Sequence, residues 1–414
     1  MQRLLMRFLP CGKASKPGGR GVQGLCWAVQ GSSTASMLGL LALAVWVDQA
    51  TGRVALSSLV FAGQWLVTLL WPRGIAWLTE GRSPTRVASL SEMASVGVFA
   101  LCAIAVWHSN VALAVCLASL RGFTDALTRA AASVAARTIC PCGELADQAI
   151  ASLEFRRIVG TATAGVVFSL IGASAGPVAL LAWSAGVFGI TAIGLRHVKV
   201  PRSAAHLNPP GAPGTLPAVH ARHARHARSR RAAYWLGMLG VITAFQGLHN
   251  AIRVAYPMSY LGQGVAGVGV VSALATVGVL LGAWLSSGFV RLGRSCQRPW
   301  LSLTGATVSA LALAFLIREP RISYLSYFAF MVAFELAFMR FNLEWVAAMD
   351  PARMGSEFSR RAFLLAAAGL AGLAVPSALL YVLDVRLAVA LSVAAFLMVA
   401  VSIHGVHTAK GDGT

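Results

Sequence analysis

Charged side chains are scarce in this chain, and several of them stand inside long apolar runs. In the run Val111–Ala131, Arg121, Asp125 and Arg129 recur at every fourth residue, so a helix would carry all three on one face. In the run Ile322–Trp345, Glu335 stands near the middle with no arginine four residues away, and Arg340, Asn342 and Glu344 follow it. Glu92 and Gln64 interrupt two earlier runs, and His249, Asn250 and Arg253 close a later one. Ionisable groups are costly in an apolar medium, so at such positions they mark ion or substrate pathways by default. Two kinds of chemistry follow. Glu335, Arg121, Asp125 and Glu92 are candidates to load and release a proton, Glu335 first among them. Gln64, His249, Asn250, Arg253, Arg340 and Asn342 are candidates to contact a polar cargo.

Each has a structural alternative. Arg121 with Asp125, and Arg340 with Glu344, could be neutralising pairs that only lock helices. Glu92 and Arg253 could lie at helix ends and reach water along their own stems. Gln64 could serve as a bond between helices. No Walker sequence and no nucleophile elbow occurs, so hydrolysis and primary pumping find no support, and neither a catalytic residue nor a cofactor is expected.

The elements that must hold these groups are membrane helices. Of 414 residues 57% are hydrophobic and 12% charged, with mean hydropathy +0.70, against about 25% charged in an ordinary soluble chain. About 20 apolar residues cross a bilayer, and twelve runs qualify. They are Leu25–Val47, Val54–Trp71, Val87–Trp107, Val111–Ala131, Ile158–Ala173 and Pro177–Leu195, then Tyr234–Ala255, Val265–Phe289, Trp300–Ile317, Ile322–Trp345, Ala362–Leu383 and Leu387–His404. The expected fold is all-α, twelve transmembrane helices in two six-helix pseudo-symmetric bundles. Residues 1–24 form a cytoplasmic arm, 25–195 the first bundle, 196–232 a basic linker, 233–405 the second bundle, and 406–414 a cytoplasmic tail. The linker, rich in Pro, Gly and His-Ala-Arg repeats, reads as a solvated spacer.

Charge orients the helices. Of 34 Lys and Arg residues, 27 fall in alternate segments, such as the arm, the linker and the loop with Arg291, Arg294 and Arg298. The intervening loops and adjoining run ends hold Arg53, Arg253, Arg318, Arg321 and Arg386, and Arg121 and Arg340 lie deep within runs. This bias puts both termini on the cytoplasmic side of a bacterial inner membrane. The net charge of +20 is then a topology signal with an affinity for anionic lipid rather than for nucleic acid. Seven cysteines, scattered through apolar runs and cytoplasmic loops, argue against a disulfide framework. Cys140-Pro-Cys142 lacks a second ligand pair, and no metal site is expected. Small residues at Gly160–Gly165 and Gly369–Gly372 read as places of close helix approach.

With these residues in hand, the chain resembles a twelve-helix transporter of the major facilitator superfamily, and within it the branch of macrolide-efflux and enterobactin-exporter proteins. Leu120-Arg121-Gly122 is similar to the arginine motif of proton-coupled antiporters, which implies a proton-relay role for Arg121. Gly160-Thr-Ala-Thr-Ala-Gly165 resembles the antiporter motif, with Thr161 where proline is usual. Arg291-Leu-Gly293-Arg294 resembles the end of the cytoplasmic gating loop, with Val290 in place of its aspartate, and the stretch with Glu80 and Arg82 is a degraded first copy. The resemblance implies a monomeric exporter of a siderophore or drug-like compound, working with protons and small-molecule substrate in membrane lipid. An importer of similar compounds, or a non-transporting receptor or assembly protein of the same fold, remains open.

Overall fold

The computed structural model describes residues 19–71, 78, 82–140, 143–198, 200, 218–291, 299–348 and 354–409. The described chain is helical almost throughout. Backbone amides have no partner in a bilayer except one another, so a chain this apolar satisfies them within helices. In order the elements are α1 (Gly19–Thr51), α2 (Val54–Leu59), α3 (Gly63–Leu70), α4 (Pro84–Trp107), α5 (Val111–Ile139) and α6 (Gly143–His197). They continue with α7 (Ala218–Ile252), a π turn at Tyr256–Tyr260, α8 (Gly264–Arg291), α9 (Pro299–Leu316), α10 (Pro320–Ala348), α11 (Met354–Leu379) and α12 (Val385–Ala409). With α2 and α3 taken as one crossing and α6 as two, the described helices supply the twelve crossings expected from the runs. Eight of the described helices are both long and apolar enough to cross a membrane.

Three elements differ from the sequence expectation. The run Val54–Trp71 is not one helix: the chain turns at Val60–Ala62 between α2 and α3. The cause is tertiary, because α3 begins with Gly63 pressed on α5. A Cβ at Gly63 would lie 2.5 Å from the Ser119 Cα. The runs Ile158–Ala173 and Pro177–Leu195 are joined in α6, broken only at Gly176 with φ 70° and ψ 160°, a conformation that needs glycine. Pro177 follows, suited to the first turn of the second rod, where its missing N–H is no loss. The first rod of α6 starts at Gly143, fifteen residues before Ile158, so Glu154, Arg156 and Arg157 are helical rather than loop residues. Finally, α7 extends back through the His-Ala-Arg tract to Ala218. Alanine and arginine are strong helix formers and no Gly or Pro follows Pro217 until the membrane run, so that tract is not an irregular spacer.

The chain divides into two compact units, Met1–His206 with Pro257–Thr276, and Leu207–Tyr256 with Val277–Thr414. In the first, α6 packs on α1 and α4, and α5 packs on α4, α3 and α1. An apolar core closes one end of this unit, from Leu25 on α1, Ala88 on α4, Ala135 on α5, Leu153 and Leu195 on α6. Gly160 lies on the backbone of Gln30, and Gly165 on that of Ala273, so the glycine pair serves close packing as expected. In the second unit α7 is central, touching α10, α11 and α12. Gly247 faces Gly369 and Gly372, and a Cβ at Gly247 would lie 2.6 Å from the backbone of Leu373.

Short connections are capped locally. The Asn110 side chain accepts from the Leu113 N–H at the start of α5, and the Asp384 carboxylate accepts from the Leu387 N–H at the start of α12.

Candidate functional site

The first unit carries a string of buried charges. Arg121, midway along α5, is 1% exposed, and its five N–H groups find five acceptors. Nε donates to Ser36 Oγ at 3.3 Å; one terminal nitrogen donates to Ser95 Oγ at 2.8 Å and Thr124 Oγ1 at 2.9 Å; the other reaches Ser32 Oγ at 3.3 Å and Asp125 Oδ1 at 3.4 Å. The hydroxyls are arranged to present lone pairs. Ser95 donates its proton to the Ser91 carbonyl and Thr124 donates to the Arg121 carbonyl, which leaves oxygen facing the guanidinium. The Phe188 ring lies against the other face, 4.4 Å from the guanidinium carbon.

Glu92, on α4, is fully buried, which corrects the reading that it sits at a helix end and reaches water. Three helices supply hydroxyls to it: Ser32 from α1 at 2.9 Å and Thr128 from α5 at 2.8 Å on Oε1, Thr191 from α6 at 3.2 Å on Oε2. Ser32 therefore links the two charges, donating to Glu92 and accepting from Arg121. On the other side of Arg121, Asp125 pairs with Arg129 at 2.6 Å. Glu92, Arg121, Asp125 and Arg129 form one chain of alternating sign. Four formal charges cancel, which is what a low-dielectric setting demands.

A cavity of about 60 Å³ adjoins this chain. Arg121, Asp125 and Arg129 line it from α5, Arg157 and Thr161 from α6, Ser33 and Ser36 from α1, and Val60 from the turn between α2 and α3. The break in that crossing is thus part of the cavity wall. Arg157 is also paired with Glu154 at 2.8 Å. Arg157 lies just ahead of the run Ile158–Ala173 and is not among the sequence candidates; the signal that could have found it is the Glu154–Arg157 spacing of three, which suits a helical pair.

In the second unit the sequence candidates fall into separate places. His249, Asn250 and Arg253 are all buried, at 5%, 6% and 3% exposure, so Arg253 does not snorkel from a helix end. His249 Nδ1 hydrogen-bonds the Tyr327 hydroxyl on α10; Tyr327 stacks on Tyr256 at 4.8 Å, and the Tyr256 hydroxyl bonds Ser323. Tyr256, Ser323 and Tyr327 were not singled out in the sequence, where aromatic residues in an apolar run read as packing. Glu335 is buried on α10, two turns beyond Tyr327, with its stem against Gly282 of α8. Arg340 pairs with Glu344 at 2.8 Å, and Glu344 is shared with Arg231 at 2.8 Å; Asn342 is half-buried. Gln64 lies on α3, Arg82 is exposed ahead of α4, and Arg291 ends α8. Glu80, Gly293 and Arg294 lie outside the described residues. Among the described residues no group of three or more His, Cys, Asp or Glu side chains could hold a metal, and Cys142 is outside them.

No protein-family model matches the chain, and no curated protein matches it. Solved structures do. A bacterial homologue of the human lysosomal transporter Spinster, in an inward-facing and unoccupied conformation, superposes with a TM-score of 0.73 at 12% identity, covering 95% of this chain and 97% of that one. The nucleoside transporter NupG matches with a TM-score of 0.68 at 12% identity over 93% of this chain and 98% of that one. The peptide transporter POT in complex with sulfate matches with a TM-score of 0.67 at 14% identity over 95% of both chains. These neighbours are major facilitator-type transporters, and they do not bear on the macrolide and enterobactin branch. The chain is a multi-pass, all-helical membrane protein with the fold of the major facilitator transporters.

Proposed function

We propose that this chain is a secondary transporter that moves a medium-sized organic molecule by alternating access, with proton exchange on the Glu92–Arg121–Asp125 chain. The single observation behind this reading is the pairing of a charge-balanced string, Glu92–Arg121–Asp125–Arg129, with a cavity lined by three of its members. A purely structural ion pair gains nothing from a cavity beside it, whereas a carboxylate that must exchange a proton needs one. Ser32, bonded to both Glu92 and Arg121, offers the route by which a change of charge at one end is felt at the other. Glu335 remains a second candidate, in the other unit, as an acid in mid-helix.

Outward transport and a siderophore or drug-like cargo rest on the branch resemblance, with the inner membrane as the site, both termini cytoplasmic and the protein working as a monomer. The polar candidates His249, Asn250, Arg253, Arg340, Asn342 and Gln64 supply contacts for such a cargo. Two measurements test the reading. Culture supernatants of a deletion strain and its parent, compared by mass spectrometry, reveal a cargo that fails to appear outside the deleted cells. In proteoliposomes with a pH-reporting dye, that cargo moves protons through the wild type and not through Glu92→Gln or Asp125→Asn. Full proton-linked transport by both variants would remove the chain from the mechanism, and by Glu335→Gln would remove that acid.

A further inference from the structure

The two arginines of the charge string are not equivalent. Arg121 has every N–H bonded to protein, so it has no donor left for a ligand. Arg129 is the reverse. Its one bonded partner is Asp125, through a single terminal nitrogen, and its Nε–H is buried without an acceptor. An unsatisfied buried donor is destabilising, a cost that an incoming oxyanion would offset. Arg157 lines the same cavity from a different helix, and both side chains are about one-third exposed, at 36% and 37%. The lining also includes the apolar side chains of Met37, Leu40 and Val60.

From this arrangement we infer that the cavity holds the carboxylate of an amphipathic organic acid, gripped between Arg129 and Arg157 with its apolar body on the Met37–Leu40–Val60 wall. The proposal rests on the transporter reading above and names the class of cargo for that same site. Guanidinium and carboxylate match in a planar, two-pronged geometry. Asp125 is the built-in competitor. Its carboxylate occupies Arg129 while the cavity is empty and must yield part of that guanidinium to a ligand. Arg121 and Glu92 stay bonded to their hydroxyls, as positioning residues that hold Asp125 in place.

Three probes separate the elements of this proposal: benzoate (carboxylate with an apolar body), inorganic sulfate (oxyanion without one) and benzyl alcohol (apolar body without charge). Each is titrated onto the purified full-length protein in detergent, at constant ionic strength against chloride, and saturable shifts in melting temperature are read. Benzoate is expected to bind at least tenfold tighter than either other probe. Loss of a charge-assisted bond at about 1.5–3 kcal/mol corresponds to a weakening of about tenfold or more, expected for Arg129→Gln and for Arg157→Gln. Asp125→Asn, which removes the competitor, is expected to tighten benzoate severalfold. Arg157→Gln changes the more exposed arginine and keeps the test valid if an α5 variant does not fold. Benzyl alcohol equalling benzoate, or unchanged benzoate affinity in the arginine variants, overturns the proposal. If benzoate does not bind while cargo still drives proton movement, this inference fails alone; if benzoate binds as described but nothing is transported, the transporter reading fails alone.

Discussion

Replacing Ser32 by alanine is the most discriminating small perturbation that the molecule offers. The side chain is 4% exposed and loses one oxygen, so packing hardly changes. Two bonds disappear, the donation to Glu92 at 2.9 Å and the acceptance from Arg121 at 3.3 Å. Hydrogen bonds to charged groups contribute about 1.5–3 kcal/mol each, but both ions keep other partners. Glu92 retains Thr128 and Thr191, and the Arg121 nitrogen retains Asp125. The net loss expected is therefore about 2–3 kcal/mol, near the value of one such bond. Ser392 is the matched control. It is equally buried, yet its hydroxyl bonds only the Ala388 carbonyl of its own helix. That kind of back-bond adds little, so Ser392→Ala should stay within about 0.5 kcal/mol of wild type. Equilibrium unfolding in mixed detergent micelles measures both. In proteoliposomes, Ser32→Ala should also displace the pH profile of transport, because Glu92 and Arg121 no longer share a proton-bearing atom. Equal losses for the two serines would show that the link carries no energy. An unaltered pH profile would show that it carries no signal.

Three further outcomes follow from the packing and the second unit. Gly247→Ala must part α7 from α11, where the added carbon meets Gly369 and Leu373 backbone, and should cost about 1–3 kcal/mol; Gly305→Ala, which meets nothing within 4 Å, should be neutral or stabilise α9 by about 0.5–1 kcal/mol, both read from melting curves. Gly176→Ala puts a side chain at φ 70°, ψ 160° between the rods of α6, with an expected loss of about 1–3 kcal/mol and no loss at Gly186→Ala, which has open space around it. Tyr327→Phe removes the hydroxyl partner of His249 and should cost about 1–3 kcal/mol, whereas His249→Phe on top of it should recover much of the loss, since an apolar pair leaves no orphaned group. A double variant no better than Tyr327→Phe would place the energy elsewhere in the aromatic stack.

What could be read from the sequence was what one helix decides for itself. The apolar runs located the crossings, and the four-residue spacing of Arg121, Asp125 and Arg129 put them on one face, as the ion pairs bear out. The Gly369–Gly372 pair marked a close approach that exists. What could not be read was what several helices decide together. Glu92 lies in the third turn of α4, a depth at which reaching water is reasonable for an isolated helix. It is buried because Ser32, Thr128 and Thr191, which are 60, 36 and 99 residues away, converge on it. Serine and threonine in an apolar helix carry no mark of whether they face a carboxylate or their own backbone. Thr124 and Ser392 look alike in the sequence, and only one touches an arginine. The turn between α2 and α3 was equally hidden, since it is imposed by the approach of Ser119 and not by a proline.

Hydrogen-bond saturation sorts the arginines within the crossings better than charge pairing does. Arg121 and Arg340 looked equivalent, each with a carboxylate four residues away. Both pairs form, yet Arg121 spends all its donors on protein while Arg340, like Arg129, keeps a buried Nε–H without an acceptor. A fully bonded guanidinium is a fixture, because moving it breaks five bonds at once. An under-bonded one holds its place less firmly and gains from any new acceptor. Four described arginines keep such an Nε–H, Arg129, Arg340, Arg361 and Arg386; of these, Arg129 lies eighteen residues into α5 and Arg340 twenty into α10, the fourth crossing of each six-helix set. Each of these two is tied by a single carboxylate on its own helix, preceding it in one case and following it in the other. The i,i+4 pair beside an unsatisfied Nε–H is thus found in both units. Under the proposed transport cycle, each would offer a spare donor to an anionic group.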